Sequence, residues 1–256
     1  MEYGLIGEKL GHSYSKQIHR ELADYPYELT PLTREEFPVF MEKKEFKAIN
    51  VTIPYKCDVI PYLSCLDPLA ERIGAVNTIV NRGGELYGYN TDYSGFLYLL
   101  DRNGISVEGK KVLVLGNGGV AQPVFLALSS RKAACVVTVK YKEEAGTVTY
   151  EKAAALHADA DIIINASPVG MFPNVDATPI DLAPYQKLSA AVDIIANPLE
   201  TRFLREARQM GAKTAGGLSM LVAQAKYAAE LFLDVSIDDG KIAPIEEKIA
   251  RMMEGR

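Results

Sequence analysis

The sequence predicts an α/β fold in two lobes, and three features carry that expectation. Short apolar runs with strand character alternate along the chain with segments of helical periodicity, as in layered sheets and helices. The continuous apolar run of Val112, Leu113, Val114 and Leu115 leads straight into a glycine-rich turn, as strands buried in parallel sheets do. A cluster of turn formers and charges at 103–110 separates this second series from the first. One lobe is therefore expected over residues 1–92, completed by C-terminal helices at 221–256, and a second over 93–220.

In the first series, residues 3–6 read as a strand, and Ile18 with Leu22 as the inner face of a short helix. Residues 27–32 form a second strand. Thr33 and Glu36 have capping-box spacing and open a helix to Lys44. A third strand over 47–53 is stopped by Pro54. Asp67 before Pro68 is an N-cap with proline at the first helical position. Residues 76–81 and 85–89 flank Gly83 and Gly84, a hairpin signal. Thr91 caps a helix that carries Asp92 and ends at Gly104. In the second series, strands are expected over 112–115, 136–139, 161–164 and 190–195. Helices are expected after the glycine turn and over 201–210, 218–233 and 244–253.

A chain of 256 residues buries a core without metal or disulfide staples. Its formal charge of −5 argues against nucleic acid as a partner, because phosphate binding needs a basic excess. A small anionic ligand needs only a local group of donors and stays open. Cys57, Cys65 and Cys135 leave one thiol over in any pairing and have no zinc spacing. They are expected to be reduced and mostly buried, with no metal site. Glu2 and Glu8 in place of a basic leader, and the lack of an apolar run of spanning length, predict neither signal peptide nor membrane span.

Gly116, Gly118 and Ala121 have the spacing G-x-G-x-x-A, directly after a strand and at a helix start. That context is the one a dinucleotide fingerprint requires. Gly116 allows the tight turn, and Gly118 lets a pyrophosphate approach the backbone. Ala121 lets the helix pack on the sheet, and the helix N-terminus favours the anion. At the end of the next strand an acidic residue would bind the ribose 2′-OH of NAD. Lys140 and Lys142 stand there instead and suit the 2′-phosphate of NADP. Glu143 and Glu144 follow closely, so NAD stays possible.

The first half carries polar clusters at strand ends: His12 to Ser15, Asn50 to Lys56, Gly74 to Thr78 and Gly88 to Asp92. Hydroxyls, amides, one ammonium and one carboxylate suit a small polyhydroxy acid. His12 reads as a structural histidine and His19 as a helix-surface one. Lys56 alone could be a solvated lysine, and Asp92 alone a carboxylate favoured by the helix dipole.

Together these segments resemble the shikimate dehydrogenase family. The resemblance runs from GLIGEKLGHSYS at 4–15 to GGLSMLVAQA at 216–225, and includes NVTIPYK, YNTDYSGF and INASPVGM. It implies a substrate lobe joined to a Rossmann-type NADP lobe, and reversible NADPH-dependent reduction of 3-dehydroshikimate to shikimate. That reaction belongs to chorismate and aromatic amino-acid biosynthesis in the cytoplasm. By position, Lys56 and Asp92 match the catalytic pair, and Ser13 and Ser15 match the hydroxyls that hold the substrate carboxylate. Thr52, Asn77 and Gln224 match other substrate contacts. Gly116, Asn117, Gly118, Gly119, Val120, Ala166, Ser167, Ile194 and Gly217 match the cofactor site, with Lys140 and Lys142 at the 2′-phosphate. The resemblance implies a small-molecule partner and a monomer or homodimer. The chemistry agrees, since reducing a ketone develops negative charge on its oxygen, which an ammonium stabilises and protonates.

The chain departs from the family in two places. The family usually has a substrate-contacting tyrosine where this sequence has Ala196, and Tyr14 and Tyr55 are candidates to replace it. The family's Asn-Arg-Thr stretch is replaced by Val139 to Lys142. Serine at position 15 favours shikimate, as quinate-using relatives tend to carry threonine there. A quinate/shikimate dehydrogenase using NAD, or a non-catalytic relative of the same fold, is the alternative.

Overall fold

The computed structural model describes residues 1–11, 13–142 and 144–255. It divides into two compact units. The first comprises Met1–Gly95 and Val222–Ile249, and the second Phe96–Leu221 with the residues after Ile249. His12 and Glu143 lie outside the described residues.

The first unit begins with β1 (Tyr3–Gly7), α1 (Ser15–Leu22), β2 (Glu28–Pro31), α2 (Glu36–Lys43) and β3 (Ala48–Val51). It continues with β4 (Cys65–Leu66), α3 (Pro68–Ile73), β5 (Thr78–Arg82), β6 (Glu85–Tyr89) and the start of α4 (Asp92–Arg102). Its sheet has the order β2-β1-β3-β5-β6-β4. The β1 pairs are parallel, while β5 is antiparallel to both β3 and β6. The capping box forms as its spacing predicts. The Thr33 N–H donates to Glu36 Oε2 at 2.8 Å, and the Glu36 N–H donates to Thr33 Oγ1 at 3.3 Å. Asp67 caps α3 by accepting the Leu69 N–H at 2.9 Å.

The second unit contains β7 (Lys111–Leu115), α5 (Ala121–Ser130), β8 (Cys135–Lys140), β9 (Thr147–Thr149), α6 (Tyr150–Leu156) and β10 (Ile162–Asn165). Then come β11 (Ala190–Asp193), α7 (Arg202–Gln209), β12 (Lys213–Ala215) and the start of α8 (Leu218–Leu233), while the rest of α8 and most of α9 (Ile242–Glu254) belong to the first unit. All its strand pairs are parallel, in the order β9-β8-β7-β10-β11-β12. Counted within the unit this is 3-2-1-4-5-6, the doubly wound order whose switch point lies between its first and fourth strands. The short β4, β9 and β12 and the helix α6 carry too little periodicity to read from sequence. The core here runs from Leu113 and Leu115 through Ile163 to Ala191 and Phe203.

Two expectations about side chains fail. All three cysteines are exposed, because each sits at a strand end or a turn rather than on an inward face. His19 is buried, not on a helix surface. Its ring stacks on Tyr27 with centroids 3.9 Å apart and on Phe232 at 5.8 Å, and Nδ1 is hydrogen-bonded to the Tyr25 hydroxyl. Burial pushes its pKa down to about 3, so the ring is neutral.

Candidate active site

Four polar segments of the first unit leave its sheet at one edge. Ile6 of β1 faces Val51 of β3, and Thr78 at the start of β5 faces both Asn50 and Tyr89. The residues after β1, after β3, before β5 and after β6 therefore emerge together. A Cβ on Gly7 would lie 2.5 Å from the Thr52 methyl. The Thr52 N–H donates to the Ile6 carbonyl at 2.9 Å, which fixes the turn leading to Lys56.

At this edge Lys56 Nζ donates to Asp92 Oδ2 at 2.6 Å. The two side chains are only 11% and 9% exposed. Backbone contacts hold both. The Lys56 carbonyl accepts the Val76 N–H at 2.8 Å, and the Asp92 N–H donates to Asn90 Oδ1 at 3.0 Å. Asn90 Nδ2 in turn donates to the Ala75 carbonyl at 2.9 Å. An ammonium and a carboxylate kept together in a dry setting can hold a proton donor in a fixed position.

Asn77 is the junction beside them. Its Oδ1 accepts the Thr91 N–H at 2.8 Å and the Thr78 hydroxyl at 2.9 Å, and its Nδ2 donates to Thr91 Oγ1 at 3.0 Å. Thr91 Oγ1 lies 3.5 Å from Gln224 Oε1, so Asn77 and Gln224 share one intermediary. Ser13 and Ser15 meet at the start of α1. Ser13 Oγ donates to Ser15 Oγ at 3.1 Å and accepts the Ser15 N–H at 3.2 Å. Sequence reasoning quoted Asn50, Thr78 and Thr91 within motifs without giving them a role, and missed Tyr27. The facing register of β3 and β5 is what places Thr78 against Asn50, and nothing local marks Tyr27.

In the second unit the predicted cofactor residues collect at the carboxyl ends of parallel strands. Gly116 has φ of 99°, and a Cβ there would stand 3.2 Å from the Ala166 carbonyl oxygen. Its N–H donates to the Val139 carbonyl at 2.9 Å, which brings the end of β8, and so Lys140, next to the glycine turn. Ser167 Oγ donates to Asn165 Oδ1 at 2.7 Å and accepts the Val169 N–H at 3.3 Å, so this hydroxyl shapes its own loop. The Ile194 N–H donates to the Asn165 carbonyl at 3.1 Å. Gly217 packs on the same segment, where a Cβ would lie 2.1 Å from the Ile194 oxygen. By contrast, nothing stands within 4 Å of where a Cβ would sit on Gly118 or Gly119. That bare backbone before α5, with Asn117 and Val120 beside it, fits a pyrophosphate.

Behind these loops lies Asp193, fully buried. It accepts from Thr201 Oγ1 at 2.7 Å, from Asn165 Nδ2 at 3.2 Å and from the Ile195 N–H at 3.0 Å. Burial raises its pKa to about 6 despite those bonds. No group of acidic, cysteine or histidine side chains among the described residues could hold a metal ion, and no helix among them is long and apolar enough to cross a membrane.

Comparison with known proteins assigns the family. Residues 5–79 match the model of the shikimate dehydrogenase substrate binding domain. A shikimate dehydrogenase (NADP(+)) of Clostridium beijerinckii is 39% identical over 254 residues, covering 93% of each chain. The chain belongs to the shikimate dehydrogenase family. The solved chorismate mutase/shikimate 5-dehydrogenase fusion protein of Clostridium acetobutylicum is 36% identical, with a TM-score of 0.94 over 99% of this chain and 98% of that one. A shikimate 5-dehydrogenase of Thermus thermophilus, solved in complex with NADP(H) and shikimate, is 31% identical, with a TM-score of 0.85 over 97% of this chain and 99% of that one.

The departures from the shikimate dehydrogenase pattern now have surroundings. Tyr55 cannot stand in for the tyrosine missing at Ala196. It is buried, donates its hydroxyl to the Leu32 carbonyl at 2.7 Å and stacks on Phe37 at 4.2 Å. Tyr14 is buried at the entry to α1. The neighbour of the Ala196 segment is Phe172, half exposed, whose N–H donates to the Asn197 carbonyl at 3.1 Å. At the altered cofactor loop Lys140 Nζ is paired with Glu144 at 2.6 Å, and the exposed Tyr141 ring lies over Tyr150 at 4.9 Å.

Proposed function

We propose that this protein is an NADP-dependent shikimate dehydrogenase that reversibly reduces 3-dehydroshikimate to shikimate, with Lys56 and Asp92 as its proton-transfer pair. The Lys56–Asp92 contact at 2.6 Å carries the reading. In the reduction, Lys56 stabilises the charge that develops on the ketone oxygen and gives it a proton. Asp92 holds the ammonium in place and accepts a ring hydroxyl. Ser13 and Ser15 hold the substrate carboxylate, and Thr52, Asn77 and Gln224 bind ring hydroxyls. Gly116, Asn117, Gly118, Gly119 and Val120 cradle the pyrophosphate, and Ala166, Ser167, Ile194 and Gly217 line the cofactor site. Lys140 and Lys142 face the 2′-phosphate. The bound dinucleotide supplies the hydride. The role is in cytoplasmic chorismate and aromatic amino-acid biosynthesis.

The Lys140–Glu144 pair favours a second reading, in which NAD competes with NADP. Steady-state oxidation of shikimate and of quinate, each with NADP and NAD, tests both. Turnover of shikimate with NADP supports the proposal. Preference for quinate or NAD moves the protein to the second reading, and no turnover in any combination overturns both.

A further inference from the structure

A chain of buried hydrogen bonds runs behind Asn77, and its proton positions are fixed by groups that can only donate or only accept. The Asn77 carbonyl must accept, so the end of Asn50 that lies 3.2 Å from it is Nδ2. Asn50 Oδ1 therefore faces the Tyr27 hydroxyl at 2.8 Å, and Tyr27 must donate. Asn50 Nδ2 also lies 3.2 Å from Thr78 Oγ1, so that hydroxyl accepts from it and gives its own proton to Asn77 Oδ1 at 2.9 Å. The Thr91 N–H, which can only donate, also points at Asn77 Oδ1. With both lone pairs of Oδ1 engaged, the Asn77 amide cannot turn over. One Nδ2 hydrogen goes to Thr91 Oγ1 at 3.0 Å, and the second is the one a ligand would receive.

We infer that Tyr27 and Thr78 are positioning residues that, together with the Thr91 N–H, lock Asn77 as a hydrogen-bond donor toward the substrate. This rests on the reading of Asn77 as a substrate contact. The relay sends one polarity from the buried phenol through Asn50 and Thr78 to Asn77. A ring hydroxyl at Asn77 must then present a lone pair, while one at Asp92 presents its proton. The two amino acids thus sort the hydroxyls of a polyol by orientation. Thr78 is fully buried and out of a ligand's reach, so its effect on binding passes through Asn77.

Two substitutions at Thr78 separate the relay from packing. Thr78→Val keeps the shape and removes the hydroxyl, whereas Thr78→Ser keeps the hydroxyl and removes a methyl. The relay predicts that Thr78→Val raises the KM for shikimate about tenfold with kcat within about twofold, while Thr78→Ser stays within about twofold on both. Tyr27→Phe should raise KM in the same direction. The opposite order, with valine like the native protein and serine impaired, overturns the relay and leaves a packing role. The side-chain amide signals of Asn77 in nitrogen-15 NMR of the ligand-free protein give a readout independent of turnover. They should be sharp and slow to exchange in the native protein and in Thr78→Ser, and broadened or fast in Thr78→Val. Equal protection in all three refutes the relay. Absence of shikimate turnover by the native protein counts against the proposed function, and the amide signals still decide the relay.

Discussion

Lys56 Nζ and Asp92 Oδ2 stand 2.6 Å apart although the two residues come from different strand ends. One follows β3 and the other opens α4, and the register of β3, β5 and β6 makes them neighbours. Neither residue type is unusual in its local setting. Their pairing in a largely buried position is what sets them apart.

If the pair moves the proton, Lys56→Ala should lower kcat about a hundred- to ten-thousandfold with a much smaller change in KM. Asp92→Asn should also lower kcat, because the ammonium loses its anchor and its charge partner. The check is steady-state kinetics with shikimate, alongside a melting curve to show that the fold is kept. An unchanged kcat in Lys56→Ala removes the residue from the mechanism.

The glycines separate folding from cofactor binding. Gly217→Ala places a Cβ 2.1 Å from the Ile194 oxygen, a backbone atom that cannot step aside. That variant should melt well below the native protein or fail to fold. Gly118→Ala meets nothing within 4 Å, so its melting temperature should stay near native while NADP affinity falls about tenfold or more. Thermal melts with and without cofactor read both effects. A Gly118→Ala protein that binds NADP normally would place the pyrophosphate elsewhere.

Features written in neighbouring residues were legible in the sequence. The turn at Gly116, the capping box of Thr33 with Glu36 and the hairpin over Gly83 and Gly84 each depend on a few consecutive positions. His19 was misread because its burial comes from Phe232, far along the chain on α8, and from Tyr27. The Asn50 amide is oriented by Asn77 and Tyr27 on other segments of the chain, which no local spacing records. Tyr55 looked free to face the substrate until its hydroxyl proved tied to Leu32. The candidate residues could be named from the sequence as types, and the contacts that hold them needed the sheet register.

At the ribose end, Glu144 is tied to Lys140 at 2.6 Å, and both its backbone N–H and its carbonyl engage Thr147. If Lys140 faces the 2′-phosphate as proposed, that group must compete with the carboxylate for it. Exposed ion pairs are weak, about 0.2–1 kcal/mol, so the competition is modest. Glu144→Gln should tighten NADP a few-fold and leave NAD nearly unchanged. Lys140→Ala with Lys142→Ala should weaken NADP far more than NAD. Equilibrium titration of both dinucleotides measures this, and equal effects on the two would remove these residues from 2′-phosphate recognition.

Two buried groups should give the protein opposing responses to acid. The Asp193 pKa is raised to about 6 by burial, so the folded state holds its proton more tightly than the unfolded state does. Its contribution favours folding at low pH and is lost as pH rises through about 6. The His19 pKa is lowered to about 3, again by burial, so the folded state resists protonation. Its contribution is present above about 6.5, the free histidine value, and is lost as pH falls below it. On acidification the histidine loss begins at about pH 6.5, before the aspartate gain begins at about 6, and below that the two oppose with about equal steepness, so the histidine loss prevails by a small margin. Urea midpoints measured from about pH 7.5 to 4.5 should therefore fall on acidification. In Asp193→Asn the fall should steepen, because only the histidine slope is left. In His19→Phe, which keeps an aromatic ring against Tyr27, it should flatten or reverse. A His19→Phe protein with the native acid slope would show that His19 is protonated in the folded state.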